Sequence, residues 1–267
     1  MKILFISGTH NRHLHFFRSL LPLEAEFSAI VMQREDQLPG MPENLLERDQ
    51  KLFERHFRTR FSVEESHFGH ISAEDTYRDI PTFLCGPEDI NTAAAANFVL
   101  SQKPDLAIVF GPDLIKSPLF EALPETTINL HLGLSPWYRG AATLFWPFYF
   151  LEPNFAGATF HQVTASPDAG NILHQSVPTL VAGDGIHDVG ARTVEVATLD
   201  FVSIVEQMMG GKEFPFIPQK GQGKLFSRKD FRASHLRMIY ETFDDDIVSE
   251  FLAGNLSARV AKVHSAL

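Results

Sequence analysis

Two stretches in the middle of the chain hold the residues best equipped for chemistry. Asn129-Leu130-His131 reads as the end of a β-strand. Residues i and i+2 of a strand point to the same face, so an amide and an imidazole stand side by side. The second stretch is Gly157-Ala158-Thr159-Phe160-His161, followed by Asp168-Ala169-Gly170-Asn171-Ile172. Asp168 lies between Pro167 and Gly170, a turn context from which a loop carboxylate can meet the Asn129/His131 strand. An Asn, a His and an Asp can together run acyl transfer to an amine. Attack by the amine puts negative charge on the acyl oxygen, to which Asn129 and a protonated His131 could donate hydrogen bonds. Asp168 could favour the imidazolium and accept the amine proton, directly or through water. The amine is itself the nucleophile, so the lack of a Ser-His-Asp or Cys-His pattern is consistent with this chemistry. His161 alternates with Thr159 and can serve by local packing or bonding alone.

The elements that must hold these residues follow an α/β order. Residues 3–6 form an apolar run ending at Ser7-Gly8-Thr9, a strand and a glycine turn, and residues 14–21 then have helical spacing. Further strands are expected over 29–32, 106–110, 126–131, 155–163 and 171–177, with helices over 43–68, 89–100 and 187–209. Strand, turn, helix and strand in succession start a mostly parallel sheet. In an open sheet of that kind ligands sit outside the strands' C-terminal ends, which is where Asn129 and His131 fall. Leu46, Phe53, Phe57 and Phe61 form a stripe on the 43–68 helix, read as core or as the face of a homodimer, and its charged residues read as a solvated face. Residues 213–224, rich in Pro and Gly, mark the boundary between a main domain, 1–210, and a C-terminal appendage, 211–267. One or two short helices are expected over 226–256.

Composition narrows the classes. The chain has 267 residues, 44% apolar and 21% charged, which is ordinary globular usage. Its 24 phenylalanines can build a dense core. Acidic residues outnumber basic ones 33 to 23, for a formal charge of −10, which disfavours a binder of long nucleic acid. The single cysteine, Cys85, excludes an intramolecular disulfide and a thiolate metal cluster. No apolar run approaches the length of a membrane span, and the short N-terminal one does not make a signal peptide. A cytoplasmic protein is expected.

In order along the chain, Asn129-x-His131, Pro136-x-Tyr138-Arg139-Gly140, Gly157-x-Thr159-x-His161 and Asp168-x-Gly170-x-Ile172 resemble the formyltransferases that use 10-formyltetrahydrofolate. That family includes glycinamide ribonucleotide, methionyl-tRNA and sugar-nucleotide enzymes. The resemblance is dense over residues 106–175, and it implies a Rossmann-like formyltransferase core with Asn129, His131 and Asp168 as the catalytic residues. It also implies that the folate pterin lies against Phe110, Gly111, Pro112, Asp113, Leu114 and Ile115 and against Thr164, Ser166 and Pro167. Candidate acceptor contacts are Gly8 and Thr9, near the start of the first helix, and Tyr138, Arg139, Gly140 and Thr143. Purine and tRNA members commonly read Pro-Ser-Leu-Leu-Pro after the catalytic His, where this chain reads Leu132-Gly133-Leu134-Ser135-Pro136. Gly133-Leu134-Ser135-Pro136-Trp137-Tyr138-Arg139-Gly140 and Gly223-Lys224-Leu225-Phe226 look more like enzymes that formylate amino sugars on nucleotides.

The preferred acceptor is therefore the amine of a nucleotide-linked sugar. Methionyl-tRNA is opposed by the acidic charge and the short C-terminal part, and glycinamide ribonucleotide by the long 43–68 helix. A folate deformylase, with water as acceptor, and a non-catalytic folate sensor complete the alternatives. His10, His13 and His15 cluster after the first strand but lack accompanying metal ligands; they read as a solvated turn or a substrate-facing loop, and no metal is expected. Trp137 and Tyr138 could stack on a base or pack in a core. The basic residues Lys220, Lys224, Arg228, Lys229 and Arg232 read as an exposed face.

Overall fold

A computed structural model describes residues 1–34, 39–221, 223–257 and 259–267. The elements run β1 (Lys2–Ser7), α1 (Asn11–Leu20), β2 (Glu26–Met32), α2 (Glu47–Phe68), α3 (Ala73–Tyr77), β3 (Thr82–Cys85), α4 (Ala93–Gln102), β4 (Leu106–Phe110), α5 (Leu119–Ala122) and β5 (Thr127–His131). They continue with β6 (Tyr138–Gly140), α6 (Trp146–Tyr149), β7 (Ala158–Gln162), β8 (Ile172–Ser176), α7 (Ile186–Met209), β9 (Lys224–Phe226) and α8 (Ile247–Leu252). Seven strands form one sheet in the order β3-β2-β1-β4-β5-β7-β8. The first five are parallel, and β7 runs antiparallel between β5 and β8. β6 and β9 form a separate parallel pair.

The central strands are continuous apolar runs because both faces of the sheet are covered. Alternation along each strand splits them between two cores. Ile3, Phe5, Ile108 and Phe110 face α1 and α7, while Leu4, Ile6, Ala107 and Val109 face α4 and α5. Much of the phenylalanine goes into the first core, where Phe5 stacks on Phe17 at 4.8 Å and Phe160 on Phe201 at 4.6 Å between ring centroids. A third cluster joins Leu52 and Phe53 of α2, Tyr138, Phe145 and Trp146, the start of α7, and the chain from Phe226 to Val248.

Several boundaries differ from those expected. α1 starts at Asn11, so His13 and His15 are helical rather than part of a turn. α2 starts at Glu47, and Leu46 and Phe61 are exposed. Its buried face is Asp49, Leu52, Phe53 and His56, a run at helical spacing that apolarity alone does not reveal. Asp49 is admitted to it because Arg237 clasps its carboxylate with two 2.7 Å hydrogen bonds. The charges of α2 are therefore not all a solvated face. α4 begins four residues late, at Ala93, after turns at Asp89 and Thr92. Beyond β9 the chain makes helical turns at Ala233–His235 and Met238–Thr242 before α8. No helix among the described residues is long and apolar enough to cross a membrane.

Candidate active site

Pairing of β5 with β7 assembles the site. Their antiparallel register sets Asn129 opposite His161 and His131 opposite Thr159. The loop after β7 then returns Asp168 to this pair. Asp168 has φ +49°, a left-handed conformation that Asp tolerates better than most residues. Three contacts hold it there. Its Oδ2 accepts from the Gly140 N–H at 2.8 Å. Gln219 Nε2 donates to the carbonyls of Asp168 and Gly170 at 2.8 and 2.7 Å. Gly170 packs so tightly that a Cβ would lie 1.9 Å from the Gln162 carbonyl oxygen.

Hydrogen bonds assign the proton positions. His131 Nε2 is 2.9 Å from the Tyr138 carbonyl. A carbonyl only accepts, so Nε2 carries the hydrogen and the bare Nδ1 faces Asp168 Oδ1 at 3.5 Å. Burial pushes His131 below the ordinary imidazole value, and the opposing pull of Asp168 does not overcome it. Burial thus favours a neutral resting ring, with protonation left to the transfer step. Burial raises the Asp168 carboxyl, yet the neighbouring His131 and His161 rings and the Gly140 N–H outweigh it and hold the group down at about 2. Asp168 is thus ionised at neutral pH.

His161, expected from sequence to pack or bond locally, bonds into the cluster itself. Its Nδ1 lies 2.8 Å from the Gln162 carbonyl, so the proton is there and Nε2 is bare. Nε2 accepts from Asn129 Nδ2 at 3.1 Å and lies 3.4 Å from Asp168 Oδ1. The signal available in sequence was the pairing of two i, i+2 dyads, Asn129/His131 and Thr159/His161, on strands that must neighbour each other.

A cavity of about 620 Å³ opens on this cluster. Its lining includes Asn129, His131, His161 and Asp168, all six residues from Phe110 to Ile115, and Thr164, Ser166 and Pro167. Gly140 and Thr143 also line it. Asp113 is clasped at the rim by Arg34 at 2.7 Å and Arg228 at 2.6 Å. Gly8 and Thr9 instead line a small recess of about 20 Å³ with His10, His13 and Arg34. His13 is buried between the two spaces, against Gly8 and Gly111. A Cβ on Gly111 would fall 2.2 Å from His13 Nε2, and the φ of +81° there also requires glycine. The three histidines after β1 are therefore not a solvated turn: burial, with Arg12, Arg60 and Arg34, pushes His10 down to about 3, and His15 stacks on Phe68.

Besides Gly8 and Thr9, two more of the expected acceptor contacts, Tyr138 and Arg139, fall outside the cavity. The Tyr138 ring is core, stacked on Phe226, with its hydroxyl donating to Glu152 at 3.0 Å. β6 turns that ring away, so only the Tyr138 carbonyl serves the site. Arg139 is half-buried and is not part of the cavity lining. Trp137 packs edge-on against Phe155. Among the described residues no group of three or more His, Cys, Asp or Glu side chains is arranged to hold a metal ion.

The chain matches the formyl transferase family over residues 63–205. Its fold is similar to that of a sugar N-formyltransferase from Shewanella, with TM-score 0.58 and 13% identity over 90% of this chain and 87% of that one. The phosphoribosylglycinamide formyltransferase of Anaplasma phagocytophilum gives 0.55 and 15%, over 85% and 98%. The formyltransferase PseJ of Anoxybacillus kamchatkensis, solved with UDP-4,6-dideoxy-4-formamido-L-AltNAc and tetrahydrofolate, gives 0.52 and 20%, over 93% and 97%.

Proposed function

Because the chain belongs to the formyl transferase family, we propose that it moves a formyl group from 10-formyltetrahydrofolate to a primary amine, that of a nucleotide-linked amino sugar. The observation carrying this reading is the convergence of Asn129, His131, His161 and Asp168 on one cavity. The donor suits that cavity: about 620 Å³ with apolar walls at Phe110, Leu114 and Ile115 and convergent polar groups is the setting in which flat heterocyclic ligands bind. The acceptor class draws support from the PseJ structure and from a Helicobacter canadensis N-formyltransferase of similar fold, solved with folinic acid and dTDP-3-aminofucose.

The bound donor supplies a formyl carbon on a nitrogen that can leave. The protein's residues do the rest. Asn129, oriented by His161, directs its second amide hydrogen at the formyl oxygen and stabilises charge gathering there. His131 accepts the amine proton at its bare Nδ1 and returns it to the departing nitrogen. The amine thus loses one proton and the leaving nitrogen gains one. Asp168 stays ionised throughout and stabilises the imidazolium between these two transfers. The Tyr138 carbonyl keeps Nε2 protonated, so Nδ1 is the working atom.

The test is turnover of the purified protein with 10-formyltetrahydrofolate and a panel of amino-sugar nucleotides, glycinamide ribonucleotide and methionyl-tRNA. Tetrahydrofolate release that depends on a sugar nucleotide, with a product one formyl group heavier, is the expected result. Release without an acceptor would mean deformylation. Folate binding with silence across the panel would overturn the sugar reading.

A further inference from the structure

A second chamber, of about 250 Å³, adjoins the catalytic cavity. Arg12, Leu132 and Thr143 line both spaces, so they form a shared partition. Leu132 directly follows His131, which brings the partition next to the reacting atoms. The remaining walls come from α2, from the 142–145 loop, from the first turns of α7 and from Phe231.

This chamber carries an unmatched positive charge. Arg12 is satisfied, its Nη1 donating to both Glu64 oxygens at 2.7 and 3.0 Å. Arg60 is not. Its guanidinium lies 4.9 Å over the Phe57 ring, and its nearest carboxylate contact among the described residues is the same Glu64, 3.9 Å away. Two guanidiniums thus share one carboxylate inside a chamber lined by Phe57, Phe145 and Phe231. His56 and His187 add no charge, because burial and Arg60 push both well below the ordinary imidazole value. They do add hydrogen-bonding groups. Tyr240 Oη sits 2.9 Å from His56 Nδ1 and 3.3 Å from His187 Nε2. One hydroxyl has one proton, so at most one of those nitrogens accepts from it and at least one donates to it. In neutral rings at least one of the two remaining nitrogens is then an acceptor, a complement to a hydroxyl group.

Taking the formyl-transfer reading as its basis, we propose that this chamber is the acceptor subsite. Arg60 receives an anionic oxygen group of the amine, a phosphate or a carboxylate, and the His56/His187 pair takes its hydroxyls. The amine reaches past Leu132 and Thr143 to His131. An acceptor with an amine and no anion would meet only repulsion from Arg60.

Binding can be read without turnover. Isothermal titration of the full chain with inorganic phosphate, and separately with acetate, measures the anion site. Arg60→Met should weaken the bound anion at least tenfold, and Glu64→Gln, which removes the competing carboxylate, should strengthen it. Arg60→Lys should retain part of the affinity and keeps the test open should Arg60→Met fail to fold. In turnover, amino-sugar nucleotides probe a phosphate and amino acids a carboxylate. Arg60→Met should raise the KM of whichever is used at least tenfold, with the donor KM within twofold. Anion affinity indifferent to both charge changes, or an unchanged acceptor KM, overturns the proposal. Arg60-dependent phosphate binding with no transfer to any amine would instead retain the anion site and overturn formyl transfer.

Discussion

His161 Nε2 stands 3.1 Å from the Asn129 amide nitrogen, across the strand pair that sets the two residues opposite each other. With Nδ1 of the same ring bound to the Gln162 carbonyl, His161 can only accept at Nε2, and this dictates which end of the Asn129 amide faces it. His161 is thereby a positioning residue for the oxyanion donor. His161→Phe keeps a ring but removes the acceptor, so kcat should fall by about tenfold to a hundredfold, somewhat less than loss of the donor itself, with the donor KM within twofold. His161→Gln, whose Oε1 can accept, should recover part of the rate. Equal rates in the two variants would reduce His161 to a packing residue.

The pH profile should report the neutral state of His131. Asp168 is held down at about 2 and His131 is pushed below the ordinary imidazole value. Both are therefore in their working forms through neutrality, and activity should fall only on the acid side, as His131 takes up a proton. Asp168→Asn removes the one carboxylate raising the His131 pKa. The acid limb should then move to lower pH, while the plateau drops by about 10² to 10⁴. A limb that stays in place or moves to higher pH would contradict the pairing.

What could be read from sequence depended on how local its cause was. The buried runs of β1 and β4 and the Asn129/His131 dyad announce themselves within a few residues. Asp168 was legible because Pro167 and Gly170 mark the turn that delivers it. The role of His161 was not, since it depends on a register between separate strands. The buried face of α2 was misread because Asp49 looks solvated until Arg237, far along the chain, is placed beside it. β6 and β9, three residues each, have too little pattern to declare a strand, and so the inward turn of the Tyr138 ring stayed hidden.

Asp245 should weaken the fold at neutral pH. Its carboxyl accepts from the Ile186 N–H at the start of α7, yet burial raises it to about 6. The folded state therefore holds this proton more tightly than the unfolded chain. A raised carboxyl contributes stability at low pH, and that contribution is lost as pH climbs from the ordinary carboxylate range through 6. Asp245→Asn keeps the acceptor oxygen and never ionises, and Asn tolerates the φ of +62° found there. It should raise Tm at pH 7.5 and change it little at pH 4. Equal shifts at both values would mean that the charge is not what destabilises.

Gly170→Ala tests whether the position of Asp168 matters independently of its chemistry. The added Cβ would meet the Gln162 carbonyl oxygen at 1.9 Å, and its carbon at 2.8 Å. These are backbone atoms of β7, which cannot rotate aside, so the loop must move. Gln219 ties Asp168 and Gly170 into one unit through their carbonyls, and the displacement should pass to the carboxylate. A shift of about 1 Å in a reacting group can cost on the order of 10² in rate, and a kcat loss of that size is expected. Gly40, whose would-be Cβ meets nothing within 4 Å among the described residues, supplies the control substitution Gly40→Ala. Circular dichroism should show both variants folded, so that lost turnover in Gly170→Ala alone reads as misplacement. Turnover within twofold of the parent would mean that Asp168 works from a looser position than its contacts to Gly140, His131 and His161 imply.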